Sequence, residues 1–257
     1  MTAGGGCPPR SGPRPTIYVL EVNPRASRTV PFVGKATGVP WARLATQVML
    51  GEPLRKLLAR CGWSDQRRLG HTAVKAPVFP FRKLGSVDAI LGPEMRSTGE
   101  VMGIDAEYPL AFAKALLAAG IRLPIEGRAL VSVNDPDKPR VVPIARELHE
   151  MGFTIYSTHK TRQTLLAAGI PALPVYKHNE EGSPFLVDMI RNRQLDLLIN
   201  TPIHTGSATH EGRWRVLSIE LGIPLITTIA GARAAVGAIR ALREQRLDVR
   251  ALQDYQG

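Results

Sequence analysis

The chain has 257 residues, 44% of them hydrophobic and 21% charged, which is too long for a peptide module and apolar enough for a packed core. No apolar stretch approaches the roughly 18 residues of a spanning helix, and the start, MTAGGGCPPRSGPRP, lacks a signal peptide's apolar core, so a soluble, cytoplasmic protein with no membrane partner is expected. Two cysteines, Cys7 and Cys61, exclude a disulfide framework and a thiolate metal site, and a formal charge of +11 points first to polyanions.

That charge is unevenly placed. Residues 1–123 carry 17 basic and 8 acidic side chains, whereas residues 124–257 carry 16 and 14. Aromatics are 5% of the chain, and neither an RNA-recognition aromatic motif nor a zinc-finger spacing occurs. No specific nucleic acid is therefore expected as a partner. A solvated basic surface or a subunit contact accounts better for the charge, with non-specific polyanion binding as an alternative.

Residues 1–15, rich in Gly, Pro and Arg, are expected to be disordered because they bury little apolar surface. TIYVLEV, from Thr16, has the β-branched and aromatic content of a strand, closed by the Asn23-Pro24 turn signal. Helices are predicted over Thr29–Thr37 and Pro40–Leu50, and a charged, irregular loop over residues 60–73. VKAPVFPF, Val74–Phe81, reads as an edge strand because its two prolines exclude it from a sheet centre. AEYPLAFAKALLAAG reads as a helix ending near Gly120.

From about Leu123 the rhythm changes. RALVSV, FTIYS, LPVY, LDLLIN and PLITT are short apolar runs, separated by helical patterns beginning near Pro139, Thr161, Pro184, Gly212 and Gly231. Strand and helix in regular alternation require right-handed crossovers and a mainly parallel sheet covered on both faces, so residues 124–257 should form a doubly wound α/β domain. Ligands in that architecture bind at the carboxyl ends of the strands.

Two groups of polar residues carry candidate chemistry. In EVNPR, Glu21 and Asn23 leave the same face of a strand and offer oxygen ligands suited to Mg²⁺ or Mn²⁺, with Arg25 placed to reach a metal-bridged phosphate. Taken alone, a strand ending in a polar Asn-Pro turn is the commoner explanation of the pentapeptide. In IYSTHKTRQTLL a strand ends at Ser157 and a helix begins among Thr158 and Thr161, gathering hydroxyls and free N–H groups where a phosphate binds well. Lys138, Lys177, Asn200 and Thr201 fall at the ends of neighbouring strands, so four loops converge on one mouth, with Ser132 a weaker member. Singly, each lysine reads as a solvated charge and Thr161 as a helix cap. None of the six histidines makes a carboxylate-supported metal pair at helical spacing, and His159 reads as a surface residue of the phosphate turn.

YVLEVNPRASRTVPFVGKATGVPWARLA, followed by ILGPEMRSTGEVMGID from Ile90 to Asp105, closely resembles the large chain of carbamoyl phosphate synthetase. SVNDPDK, STHKT and LINTP resemble the regulatory domain of that chain, of the methylglyoxal-synthase-like type, so the resemblance spans nearly everything after residue 15. It implies an incomplete ATP-grasp α+β segment over residues 16–123, the C-terminal remnant of the second ATP-grasp domain. A methylglyoxal-synthase-like doubly wound parallel-sheet domain then follows over residues 124–257. By that resemblance Glu21 and Asn23 are metal ligands and Arg25 a nucleotide-phosphate contact in carbamate phosphorylation, with ATP held only once the missing ATP-grasp lobes are present. Ser132, Lys138, Thr158, Thr161, Lys177, Asn200 and Thr201 match an effector-phosphate site for a nucleotide monophosphate, UMP or IMP. The implied partners are the remaining large-subunit segment and a glutaminase small subunit, in pyrimidine and arginine biosynthesis. With fifteen residues before Thr16, the chain is read as a C-terminal section, a split subunit or a truncated gene product, inactive alone.

Some positions depart from the family pattern. Members that respond to ornithine place a glutamate where Ala76 stands, so ornithine control is not implied. Pro202 replaces a threonine, residues 177–182 are one longer than usual, and EGRWRVLS departs from an arginine-rich helix start. Phosphate binding is thus better supported than the effector's identity. A free-standing phosphate lyase of methylglyoxal-synthase type is the alternative, weakened because NTPIHTG offers no carboxylate base nearby.

Overall fold

The computed structural model describes residues 18–19, 22, 25–64, 68–80, 88–90, 95–177, 181–202, 206 and 209–256. The expected disordered start, and Glu21 and Asn23, lie outside them. Of the strand expected from Thr16, the described members Tyr18, Val19 and Val22 belong to no strand and are 78%, 78% and 76% exposed. A strand forms only against a hydrogen-bonding neighbour, and no described element pairs with these residues.

Three short helices follow: α1 (Thr29–Thr37), closed by Gly38 at φ 71°, α2 (Trp41–Met49) behind Pro40, and α3 (Leu54–Arg60). They bury Val39, Leu44 and Leu57 together, with Trp41 edge-on to Trp63 at 5.0 Å. Sequence periodicity did not indicate α3, whose seven residues span barely two turns. An antiparallel pair, β1 (Thr72–Val78) and β2 (Gly99–Asp105), comes next. β1 starts two residues before the predicted strand and stops before Phe79; β2 was not anticipated, since GEVMGID alternates poorly. The helix α4 (Tyr108–Ala118) lies on this pair. A Cβ at Gly103 would come within 2.1 Å of the Ala111 carbonyl oxygen and 2.3 Å of the Ala115 nitrogen, so only glycine permits that approach.

The remaining strands, β3 (Arg128–Val133), β4 (Thr154–Ser157), β5 (Leu173–Pro174), β6 (Leu197–Thr201) and β7 (Leu225–Ile226), form one parallel sheet in the order β5-β4-β3-β6-β7. The expected doubly wound parallel sheet is therefore present. Between them run α5 (Lys138–Glu150), α6 (His159–Ala167), α7 (Leu186–Arg191) and α8 (His210–Glu220), and after β7 come α9 (Ile229–Glu244) and α10 (Gln253–Gln256). Every residue of β6 is buried, as a strand covered on both faces requires. Ala129, Val131 and Val133 enter the core with α5, α6 and α9, whereas Leu130 faces α7 and α8. In α9, Ile229, Ala232, Val236 and Ile239 recur at helical spacing and form its buried stripe. Ala113 of α4 and Leu123 enter the same core, so α4 packs on α9 as well as on β2. Among the described residues no helix is long and apolar enough to cross a membrane.

Candidate anion-binding site

Strand order reverses at β3, whose neighbours β4 and β6 lead away in opposite directions, and a crevice opens at their carboxyl ends. There a cavity of about 520 Å³ is lined by Ser132, Lys138, Thr158, Thr161, Lys177, Asn200 and Thr201, the seven residues matched to an effector-phosphate site. The sheet register sets the floor: Ser132 lies opposite Asn200 and Val133 opposite Thr201.

The floor is buried and internally bonded. The Ser132 and Thr158 hydroxyls share a hydrogen bond of 2.9 Å, and Thr161 Oγ1 lies 3.3 Å from both the nitrogen and the carbonyl oxygen of Val133. Thr201 Oγ1 accepts from the Asn134 N–H at 3.2 Å. The Asn200 amide is committed on both sides: its nitrogen donates to the Ser132 carbonyl at 2.8 Å, and its oxygen accepts from Arg215 at 3.2 Å. Asn200 thus holds β6 to β3 in addition to lining the cavity.

The start of α6 differs from those of α8 and α9. Thr209 and Thr228 cap α8 and α9 by accepting from the N–H groups of Gly212 and Gly231. Thr158, at the same position of α6, makes no cap bond because its hydroxyl is turned to Ser132. The first-turn N–H groups of α6 therefore lack that side-chain acceptor at the cavity wall. At the rim, Lys138 reaches Asp135 at 2.5 Å, and Lys177 lies 3.7 Å from Glu211. The Lys138 ammonium beside Asp135 holds its carboxyl below the usual carboxylate value.

The cavity also holds residues not anticipated from the sequence. Asp135, Glu181 and Glu211 line it, so the expectation that no acid stands near the phosphate site is corrected. The reason is topological: Glu211 lies in the first turn of α8, beyond the NTPIHTG loop, and the chain's return to the sheet brings it in. Glu211 Oε2 is buried without a hydrogen-bond partner, 3.8 Å from Arg215 Nη1. Arg215 is fully buried and pairs with Asp88, 127 residues away. Only the Glu211–Arg215 contact has a sign in the sequence, the two lying four apart on one helix face in EGRWRVLS.

The first candidate site is not assembled among the described residues. Arg25 is exposed ahead of α1, and Glu21 and Asn23 lie outside them. No group of three or more His, Cys, Asp or Glu among the described residues is arranged to hold a metal ion.

The five-stranded parallel sheet with its crevice at the β3 switch point is of the doubly wound class, and the family model described as the MGS-like domain matches residues 140–227 of it. A second, the ATP binding domain of the carbamoyl-phosphate synthase L chain, matches residues 12–57. Over 94% of its length the chain is 48% identical to the carbamoyl phosphate synthase large chain of Nostoc sp., and over 93% it is 49% identical to that of Rhizobium meliloti, covering 21% of each. It is 44% identical to the "Carbamoyl phosphate synthase large chain, C-terminal section" of Methanocaldococcus jannaschii, over 93% of this chain and 40% of that one. The chain is thus a relative of the C-terminal section of the carbamoyl phosphate synthase large chain, spanning about a fifth of the full-length large chains it matches. Among solved structures, the crystal structure of ForH aligns with a TM-score of 0.28 and 15% identity over 51% of this chain and 95% of that one, too distant to argue from.

Proposed function

We propose that the cavity takes the phosphate of a nucleotide monophosphate, UMP or IMP, as an allosteric effector, and that the chain is the regulatory section of a carbamoyl phosphate synthase large subunit. The observation that carries this reading is the uncapped start of α6 at a cavity rimmed by Lys138 and Lys177. A phosphate would accept from the first-turn N–H groups and from both ammonium groups, in place of their contacts with Asp135 and Glu211. Glu211 Oε2, which accepts no hydrogen bond, suits a neutral donor, such as a ribose hydroxyl, at the other end of the ligand. Glu21 and Asn23 would hold Mg²⁺ or Mn²⁺, and Arg25 an ATP phosphate, once the remaining large-subunit segment supplies the other lobes. A glutaminase small subunit would then supply ammonia, and the product would serve pyrimidine and arginine biosynthesis. Ornithine is not proposed as an effector, because the β1 position in question is the buried Ala76.

Calorimetric titration tests the reading. A hydrogen bond between charged groups is worth roughly 1.5–3 kcal/mol, and about 1.4 kcal/mol is a tenfold change in affinity. Lys177→Ala should therefore weaken UMP or IMP binding by roughly ten- to a hundredfold. Arg250→Ala removes an exposed cation that pairs with Asp248 and is not among the residues lining the cavity, and should leave binding unchanged. Absence of binding at millimolar nucleotide, or equal loss in both variants, would overturn the assignment.

A further inference from the structure

Arg215 heads the largest fully buried side chains, and its charge is met from a distant part of the chain. Its Nε donates to Asp88 Oδ1 at 2.7 Å and its Nη2 to Asp88 Oδ2 at 2.5 Å, a two-pronged contact. Asp88 is 4% exposed and lies between β1 and β2, outside the five-stranded sheet. The same carboxylate accepts from the N–H of Gly206 at 2.9 Å and of Ile90 at 3.4 Å.

From Arg215 the bonding continues into the cavity. Nη1 donates to Asn200 Oδ1 at 3.2 Å, Asn200 donates to the Ser132 carbonyl at 2.8 Å, and the Ser132 hydroxyl meets Thr158 at 2.9 Å at the start of α6. Each joint is buried, so its partners have no water to turn to when a neighbour moves. The segment around Asp88 is thereby fastened to the cavity floor by a continuous polar chain.

We infer that Asp88 is a positioning residue for the anion cavity: by holding Arg215 it fixes Asn200 and Ser132, and it links occupancy of the cavity to docking of the 88–90 segment. The inference rests on the proposed phosphate reading of that cavity. Linkage is reciprocal: if the docked segment favours the bound nucleotide, the nucleotide favours the docked segment to the same degree. The path by which occupancy reaches the 88–90 segment is then the Arg215 side chain.

The test uses the full chain and UMP. The amides of Ile90 and Gly206 donate to the Asp88 carboxylate, so their hydrogen exchange reports the clamp directly. UMP should slow exchange of both amides at least threefold in the wild type, a readout that needs no substitution. Asp88→Asn should weaken UMP binding about tenfold and abolish that protection. If UMP binds the wild type while both amides exchange at unchanged rates, the linkage is overturned and the phosphate reading stands. If UMP does not bind the wild type, the reading and the inference fall together.

Discussion

The Asp88 carboxylate shows how one residue sets the molecule's response to acid. Burial works to raise its proton affinity, but the Arg215 hydrogen bonds, the Gly206 N–H, the Arg215 charge and the Ile90 N–H outweigh burial and hold the carboxyl below its ordinary value of 3.8. A carboxyl depressed on folding stabilises the native state at pH values above its unfolded value, and that contribution is lost as the pH falls through the lower, folded value. Protonation would also take from the fully buried Arg215 guanidinium its two-pronged carboxylate contact, leaving it with Glu211 at 3.8 Å. Between pH 5 and pH 2 the wild type should therefore lose stability more steeply than Asp88→Asn, which is less stable at neutral pH but has no proton to take up at this site. Denaturant unfolding followed at intervals of pH measures both slopes, and parallel curves would show that the pair is already compensated elsewhere.

At the scale of elements, α4 is the joint between the two sheets, resting on β2 at Gly103 and entering the parallel-sheet core through Ala113. Gly103→Ala would place a methyl group within 2.1 Å of backbone, where no side-chain rotation relieves it. Overpacking of that kind costs about 1–3 kcal/mol, and here it acts by lifting α4 from β2. The variant should unfold at lower denaturant, with faster hydrogen exchange in β1, β2 and α4 and little change in β3. Uniform loosening of all strands would instead show one cooperative unit. What was legible in the sequence follows the same division. The five parallel strands could be read as short apolar runs, most fully β3 and β6, which are buried along nearly all their length, and the helix starts near Pro139, Thr161, Pro184, Gly212 and Gly231 fell within two residues of the observed ones. β2 escaped because Gly99, Gly103 and two acids interrupt its alternation, and α3 because it is too short to show a period. The cavity floor was readable where Ser132, Asn200 and Thr201 end apolar strands as polar residues. Asp88 and Arg215 were not, since only the fold brings residues 127 apart into contact.

At the scale of the whole molecule, the two halves differ in how fully they account for themselves. The parallel sheet covers both faces with its own helices, whereas Val48, Met49, Leu50 and Leu54 of the first half are 41%, 86%, 81% and 50% exposed. The large chains it matches are about five times as long, the chain covering 21% of the Nostoc sp. relative. Carbamate phosphorylation needs its metal, nucleotide and substrate groups held together to within about half an ångström, and residues 12–57 match only a stretch of the ATP binding domain. A polypeptide of these 257 residues, purified alone and supplied with bicarbonate, ammonia and Mg-ATP, should therefore form no carbamoyl phosphate. It should nonetheless bind UMP or IMP, because every residue of the proposed effector cavity lies on this chain. Product should appear only when the remaining large-subunit segment is added. The measurement is carbamoyl phosphate trapped as citrulline, or as the hydroxylamine adduct, in a preparation free of host synthetase. Product from the isolated chain above a protein-free control would show that these residues assemble a working phosphorylation site by themselves, and the proposed division of labour would fall.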